Sequence, residues 1–284
     1  MTGDEVTGYD WPGGARAAVC FTLDLDAESP NLWRTRSDPP MAVGELEQRR
    51  YGPRRGIANL LDMMDEIGLR ATVFVPGWVA STHRAQVEQV HARGHELALH
   101  GWCHEPPTTI ARDDLRRTLD RAATLLADIT GERPVGYRSP SWDMTADVFG
   151  VLRELGVTYD SSLMGDDRPY IVDGLVEVPV DWATDDAPYY RYTGGDPRPP
   201  AAVPTVRDGW AAEIAAARAH GTLCMITVHP WLSGRPARVD ALAELLGPVV
   251  DDPAVCTPTV AELAAHHRTG IDVTLDELRR PSHD

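Results

Sequence analysis

Apolar and polar positions alternate along the chain in two periods. Short runs rich in Val, Ile and Leu predict strands near residues 16–25, 70–75, 95–99, 135–138, 157–159, 175–180, 222–229 and 254–256. Between them lie segments of helical period. Ile57–Ile67 carries apolar side chains at 57, 60, 61, 64 and 67, which form one face. Asp113–Ile129 repeats the pattern with Leu115, Leu119, Ala122, Leu126 and Ile129, and Gly131 follows as a stop. Further helices are expected from a Thr145 cap to Leu155, from Pro236 to Val250 and from Thr259 to Arg268. Strand and helix in alternation predict an α/β fold with a mostly parallel sheet, open or closed into a barrel. The stretch TGGDPRPPAAVP, residues 193–204, reads as a surface loop, because the one strand after it is too little for a second domain. Residues 1–284 are therefore expected to form a single domain.

In parallel α/β folds reactive groups collect at the carboxyl ends of strands. Asp24 and Asp26 close the first expected strand, His100 follows the third, Arg138 ends the fourth and His229 ends the seventh. Such residues would converge on one rim. On a strand Asp24 and Asp26 point the same way, and two like charges side by side call for a proton, a cation or a guanidinium.

The segment HELALHGWCHE, residues 95–105, sets His100 and His104 four apart. A helical turn after the strand would put both imidazoles on one face, able to hold one cation, with Asp24 or Asp26 completing the set. Two histidines, one carboxylate and positions left to water make up a hydrolytic metal site. The other aspartate would then serve as a base. GYRSPSWD, residues 136–143, offers Arg138 to keep a neighbouring carboxylate ionised and oriented, and Trp142 to wall a pocket or cover the core. In ITVHPWLSGRPAR, residues 226–238, His229 can exchange a proton near neutral pH, since an unperturbed imidazole titrates at about 6.5. Trp231 is a candidate substrate contact, and Arg235 a candidate for an anionic substrate group or a partner subunit. His95 shares a strand with Leu97 and Leu99 and reads as structural; the remaining histidines are given no role.

Composition narrows the field. All 27 basic residues are arginine, so lysine chemistry is excluded. A formal net charge of -16 and the lack of a basic stripe argue against nucleic-acid or anionic-membrane binding. The start, MTGDEVTGYDWPGG, has neither a basic patch nor an apolar stretch of signal length, and a cytoplasmic protein is expected. Cys20, Cys103, Cys224 and Cys256 form no CxxC pair, and Cys20, Cys224 and Cys256, in or beside apolar runs, are expected as buried reduced thiols.

With these segments in order, FTLDLDAES, HGWCH, YRSPSW and VHP, the chain resembles the NodB-homology polysaccharide deacetylases from about residue 16 to 232. The resemblance implies a distorted (β/α) barrel of seven or eight mostly parallel strands. It also implies metal-dependent removal of N-acetyl groups from amino sugars, with zinc, or sometimes cobalt or another divalent ion, as cofactor. Carried over, Asp26, His100 and His104 would be ligands, Asp24 the base held by Arg138, and His229 the acid. One departure is that Leu25 separates two aspartates that the family usually sets side by side. That spacing, and DWATDDAPYY at 181–190, are similar to the branch of peptidoglycan-deacetylase-like proteins and cyclic imide and allantoin hydrolases, whose members often form tetramers; a homo-oligomer is expected on that ground. Base and ligand stay interchangeable between Asp24 and Asp26. The substrate is a small or amino-sugar amide, or in the alternative a cyclic imide or ureide opened by the same carbonyl attack, with Trp33, Trp142, Trp182 and Trp231 as candidate walls. A catalytically silent metal-binding protein of this fold would lack the base or the acid, whereas Asp24 and His229 are both present.

Overall fold

A computed structural model describes residues 9–37, 42–193, 196–267 and 271–275. Its central strand, β1 (Ala17–Asp24), is buried at all eight positions, as a strand covered on both faces must be, and this explains its unbroken apolar run. The strands that follow are β2 (Thr72–Val75), β3 (Glu96–Leu99), β4 (Gly136–Tyr137), β5 (Tyr159–Asp160), β6 (Tyr170–Val172), β7 (Leu175–Glu177), β8 (Leu223–Val228), β9 (Val255–Cys256) and β10 (Asp272–Val273). They form one sheet in the order β10-β6-β7-β5-β4-β3-β2-β1-β8, with β9 paired to the start of β1. Every pairing is parallel except β6 with β7.

The register between β1 and β8 matches Ala18 with Leu223 and Leu23 with Val228. On the far side of β8, among the described residues, there is no strand but an isolated bridge from Thr227 to Asp185, supported by the Asp186 N–H on the Thr227 carbonyl at 3.0 Å. The barrel is therefore distorted at this seam, where irregular chain stands in for a ladder.

All eight expected strands are present, with those near 135–138, 157–159 and 254–256 only two residues each. Two more, β6 and β10, were not expected. A two-residue hairpin makes β6: Asp173 and Gly174 both take positive φ, 49° and 81°, as a type I′ turn requires. The helices Ile57–Ile67, Arg112–Thr130, Ala146–Glu154 and Pro236–Val250 lie where expected. Thr259 caps Val260–His266 through a reciprocal bond with Glu262; Arg268, the expected end, lies outside the described residues. A further helix, Val203–His220, takes over the end of the stretch read as a loop; Gly194 and Gly195 within that stretch are outside the described residues. None of the described helices is long and apolar enough to cross a membrane.

The helix Val43–Tyr51 runs into Ile57–Ile67 through a π-helical turn, Gly52–Gly56. Pro53 has no N–H to give the regular ladder. The turn packs against the short helix Pro230–Ser233 that follows β8, so closely that a Cβ on Gly56 would lie 1.9 Å from the Pro230 carbonyl oxygen. Glycine is required at this contact, and it brings the Val43–Tyr51 helix to the rim where the parallel strands end.

Candidate active site

Arg138, immediately after β4, is fully buried. Its Nη1 donates to Asp24 Oδ1 at 2.9 Å, to Thr22 Oγ1 at 2.8 Å and to Thr227 Oγ1 at 3.3 Å. Nε donates to the Ser161 carbonyl at 2.9 Å and Nη2 to Ser161 Oγ at 3.0 Å, while the guanidinium lies 4.1 Å from the Phe74 ring centroid. Four strand ends thus supply the partners that replace water around one buried charge. The ion pair is structural and at the same time fixes the direction of the Asp24 carboxylate.

Strand β1 stops at Asp24, so Asp26 stands past the ladder in a turn and is no longer bound by the period of two. It faces both imidazoles: Oδ1 is 3.3 Å from His100 Nε2 and Oδ2 is 3.6 Å from His104 Nε2. The histidines meet by a tight turn and not by the helical turn expected. Gly101 and His104 take φ of 72° and 58°, and the Glu105 carboxylate accepts from the backbone N–H groups of Trp102, at 2.8 Å, and Cys103. The rings stand edge to face with centroids 5.1 Å apart. His100 Nδ1 donates to the Arg138 carbonyl at 2.8 Å, which turns Nε2 toward Asp26.

Asp26 Oδ1 and His100 Nε2 are buried without a hydrogen-bond partner, and one ligand atom from each of Asp26, His100 and His104 lies within 4.8 Å of the others. Orphaned buried polar atoms in such a donor set fit a divalent cation. Burial pushes the Asp26 carboxyl up, but the imidazoles of His104, His100 and His229 outweigh it and hold it well below the usual carboxylate range. Burial takes His104 down to about 4, against the pull of Asp26, so it is neutral as a ligand must be. His100 moves up: burial opposes the proton, yet Asp24 and Asp26 favour it, and that proton competes with a cation for Nε2.

His229 stands across the cleft after β8. Its Nδ1 donates to Asp186 Oδ1 at 2.7 Å, and its own backbone N–H and the Ser233 hydroxyl donate to Asp186 Oδ2. Burial disfavours the imidazolium, but Asp186, then Asp185 and Asp26, push its pKa up to about 10. Asp185, 3.7 Å from Nδ1, rises to about 7 through burial and the Asp186 charge, against the pull of His229. Asp185, Asp186 and His229 also cluster tightly enough to hold an ion, but both Asp186 oxygens are already taken by hydrogen bonds. Nε2 of His229 points into the cleft, 3.8 Å from Asp26 Oδ2.

The cleft measures about 160 Å³ and brings together Asp24, Asp26, His104 and His229 with the indoles of Trp142, Trp182 and Trp231. Trp142 stacks on Trp182 at 4.0 Å, and the backbone of Ser141 and Trp142 is held at positive φ, 58° and 55°, to present that ring. Trp33 is not in this wall; it lies under Arg36. Arg235 is also not brought to the cleft. It borders a neighbouring depression of about 190 Å³ that shares Trp231, and its guanidinium covers the Tyr51 ring.

Asp186, Arg49 and Arg191 are at the site and were not singled out from the sequence. Asp186 lies in DWATDDAPYY, a stretch that was legible only as a likeness; two adjacent aspartates beside a strand-end histidine were the available signal. Arg49 and Arg191 line the cleft as well, and nothing in their sequence surroundings sets them apart from the other arginines.

The sequence model of a family described as "Polysaccharide deacetylase" matches residues 51–159. A crystal structure from Mycobacterium smegmatis, assigned as a polysaccharide deacetylase, superposes with a TM-score of 0.84 at 36% identity, over 91% of this chain and 92% of that one. A peptidoglycan deacetylase-like protein of Gibberella zeae is 31% identical over 156 residues. That match takes in 54% of this chain and 46% of the relative, so it spans about half the length of that relative. An allantoinase crystal structure superposes with a TM-score of 0.78 at 22% identity, over 90% of this chain and 92% of that one, a likeness of fold.

Proposed function

The chain belongs to the polysaccharide deacetylase family, and from that premise we propose that it is a divalent-metal-dependent hydrolase that removes N-acetyl groups from amino sugars. The observation that carries this reading is the pair of orphaned buried atoms, Asp26 Oδ1 and His100 Nε2, set between a buried Asp–Arg pair and a histidine poised as imidazolium.

Asp26, His100 and His104 would hold the ion, with zinc the first candidate for a donor set of two imidazoles and one carboxylate. When bound, such an ion polarises an amide carbonyl and brings the pKa of water down toward about 7. Asp24, aimed by Arg138 at 2.9 Å, takes the proton of the attacking water. His229, still protonated at neutral pH because Asp186 holds Nδ1–H, gives its Nε2 proton to the departing nitrogen. Without that proton the nitrogen would have to leave as an amide anion. The indoles of Trp142, Trp182 and Trp231 offer apolar faces on which a sugar ring can lie, leaving the acetamido group directed at Asp26.

Acetate release from N-acetylated chitooligosaccharides, run beside ring-opening of a cyclic imide and of allantoin, tests the reading. Acetate release that stops on chelation and returns with a divalent ion supports it. Turnover of the ring substrates alone replaces the deacetylase by the ring-opening hydrolase.

A further inference from the structure

Among the described residues, most charged groups at the rim have a close hydrogen-bonded partner. Asp24 is paired with Arg138 and Asp186 with His229. Arg49 and Arg191 line the cleft without one: Arg49 reaches only a long ion pair with Asp26, and Arg191 has no recorded ion pair. On the helix Val43–Tyr51 and the turn after it, Arg50 donates to Glu28 and Glu47, and Arg54 to Glu47. Arg49 does neither. It is only 9% exposed, its Nη1 is buried with no hydrogen-bond partner, and the nearest carboxylate oxygen, Asp26 Oδ2, is 3.6 Å away. The guanidinium is held in place by the Trp231 ring, 4.7 Å from its centroid, and not by an acceptor. Arg191, just after the short helix Ala187–Tyr190, is exposed and has no ion-pair partner among the described residues.

A buried guanidinium lacking an acceptor is costly, and removing it from water makes sense where a ligand supplies the missing oxygens. Asp26 is shared between Arg49 and two imidazoles, and a bound dication would add positive charge beside the guanidiniums. Asp24, Asp26 and Asp185 line the cleft against Arg49, Arg191 and His229, so the charges are close to balance and a bound dication would tip them positive. An N-acetyl sugar without further substituents is neutral and offers the two guanidiniums hydroxyl acceptors but no charge. A carboxylate matches the planar fork of arginine with two parallel hydrogen bonds.

We propose that the cleft selects an amide substrate carrying a carboxylate beside the scissile group, received by Arg49 and Arg191. The proposal rests on the hydrolase reading above and names its substrate class.

The test compares an N-acetyl amino sugar with the same sugar bearing a carboxylic acid substituent. For each, kcat and KM for acetate release are measured with the metal-loaded wild type, Arg49→Gln and Arg191→Gln, and affinity is measured by calorimetry. The wild type is expected to favour the acid sugar by about tenfold or more in kcat/KM, and each variant to cut that ratio by about tenfold, mainly through KM. Arg191 is exposed, so its variant folds even should the buried Arg49 replacement fail. Equal kcat/KM for the two sugars, or variants that lower kcat on both by one factor, would overturn the inference and leave the hydrolase reading standing. Acetate release from neither sugar would instead sink the hydrolase reading. Affinity then decides the inference: binding that favours the acid sugar and falls in both variants upholds it, and equal affinity for the two sugars ends it.

Discussion

Replacing Arg138 with methionine keeps most of the side-chain volume and removes all five of its side-chain hydrogen bonds. Asp24, 2% exposed, is left with an uncompensated carboxylate, and the Ser161 carbonyl and three hydroxyl groups lose a donor. Removing one partner of a buried pair costs about 3–5 kcal/mol, a large share of a net stability of about 5–15 kcal/mol. With a urea slope of about 3 kcal/mol/M, the unfolding midpoint falls by about 1 to 1.7 M at unchanged slope. The assay is urea unfolding of chelated protein, so that no bound ion contributes. The double variant Arg138→Met with Asp24→Asn removes the orphaned charge and regains about 1–3 kcal/mol relative to additivity. A loss under about 1 kcal/mol for Arg138→Met, or strict additivity in the double variant, would refute the view that these strand ends are organised around one desolvated ion pair.

Other expectations follow from the same geometry. His229 is protonated more readily in the folded chain, up to about 10 against about 6.5 unfolded, so its contribution to metal-free stability is complete below pH 6.5 and is lost as pH rises through 10. Asp186→Asn should flatten that decline between pH 7 and 10 in urea titrations; an unchanged pH slope would remove Asp186 as the cause. Gly56→Ala drives a methyl into the Pro230 carbonyl and should cost about 1–3 kcal/mol together with much of the turnover, whereas full stability would mean the turn yields freely. Trp142→Ala strips the stacked pair from the cleft wall and should raise KM for a sugar substrate about tenfold with a smaller effect on kcat, read from steady-state kinetics.

Much of this site was legible because strand-end chemistry is local in sequence. An apolar run that stops at Asp24, Leu99, Tyr137 or Val228 announces where Asp24, His100, Arg138 and His229 will stand, and a parallel sheet brings those ends together. The different surroundings of Asp24 and Asp26 were not legible, because they depend on β1 ending at Asp24. The meeting of His100 and His104 was anticipated through a helix, whereas positive φ at Gly101 and His104 and the Glu105 carboxylate achieve it. The helix Val203–His220 was hidden by its alanines, which blur the contrast between its faces; only Val206, Trp210, Ile214 and Ala217 mark the buried one. Arg49 was invisible for a different reason: what distinguishes it from Arg50 is the absence of an acceptor, and that is a property of the folded surroundings.

The central claim is that Asp26, His100 and His104 share one divalent ion that the reaction needs. Elemental analysis of protein purified without added metal, joined to acetate release before and after chelation, tests it most directly. About one divalent ion per chain in the wild type, lost in His100→Ala and His104→Ala together with turnover, is the predicted result. A wild type that holds no ion, or that releases acetate at full rate after complete chelation, would contradict it.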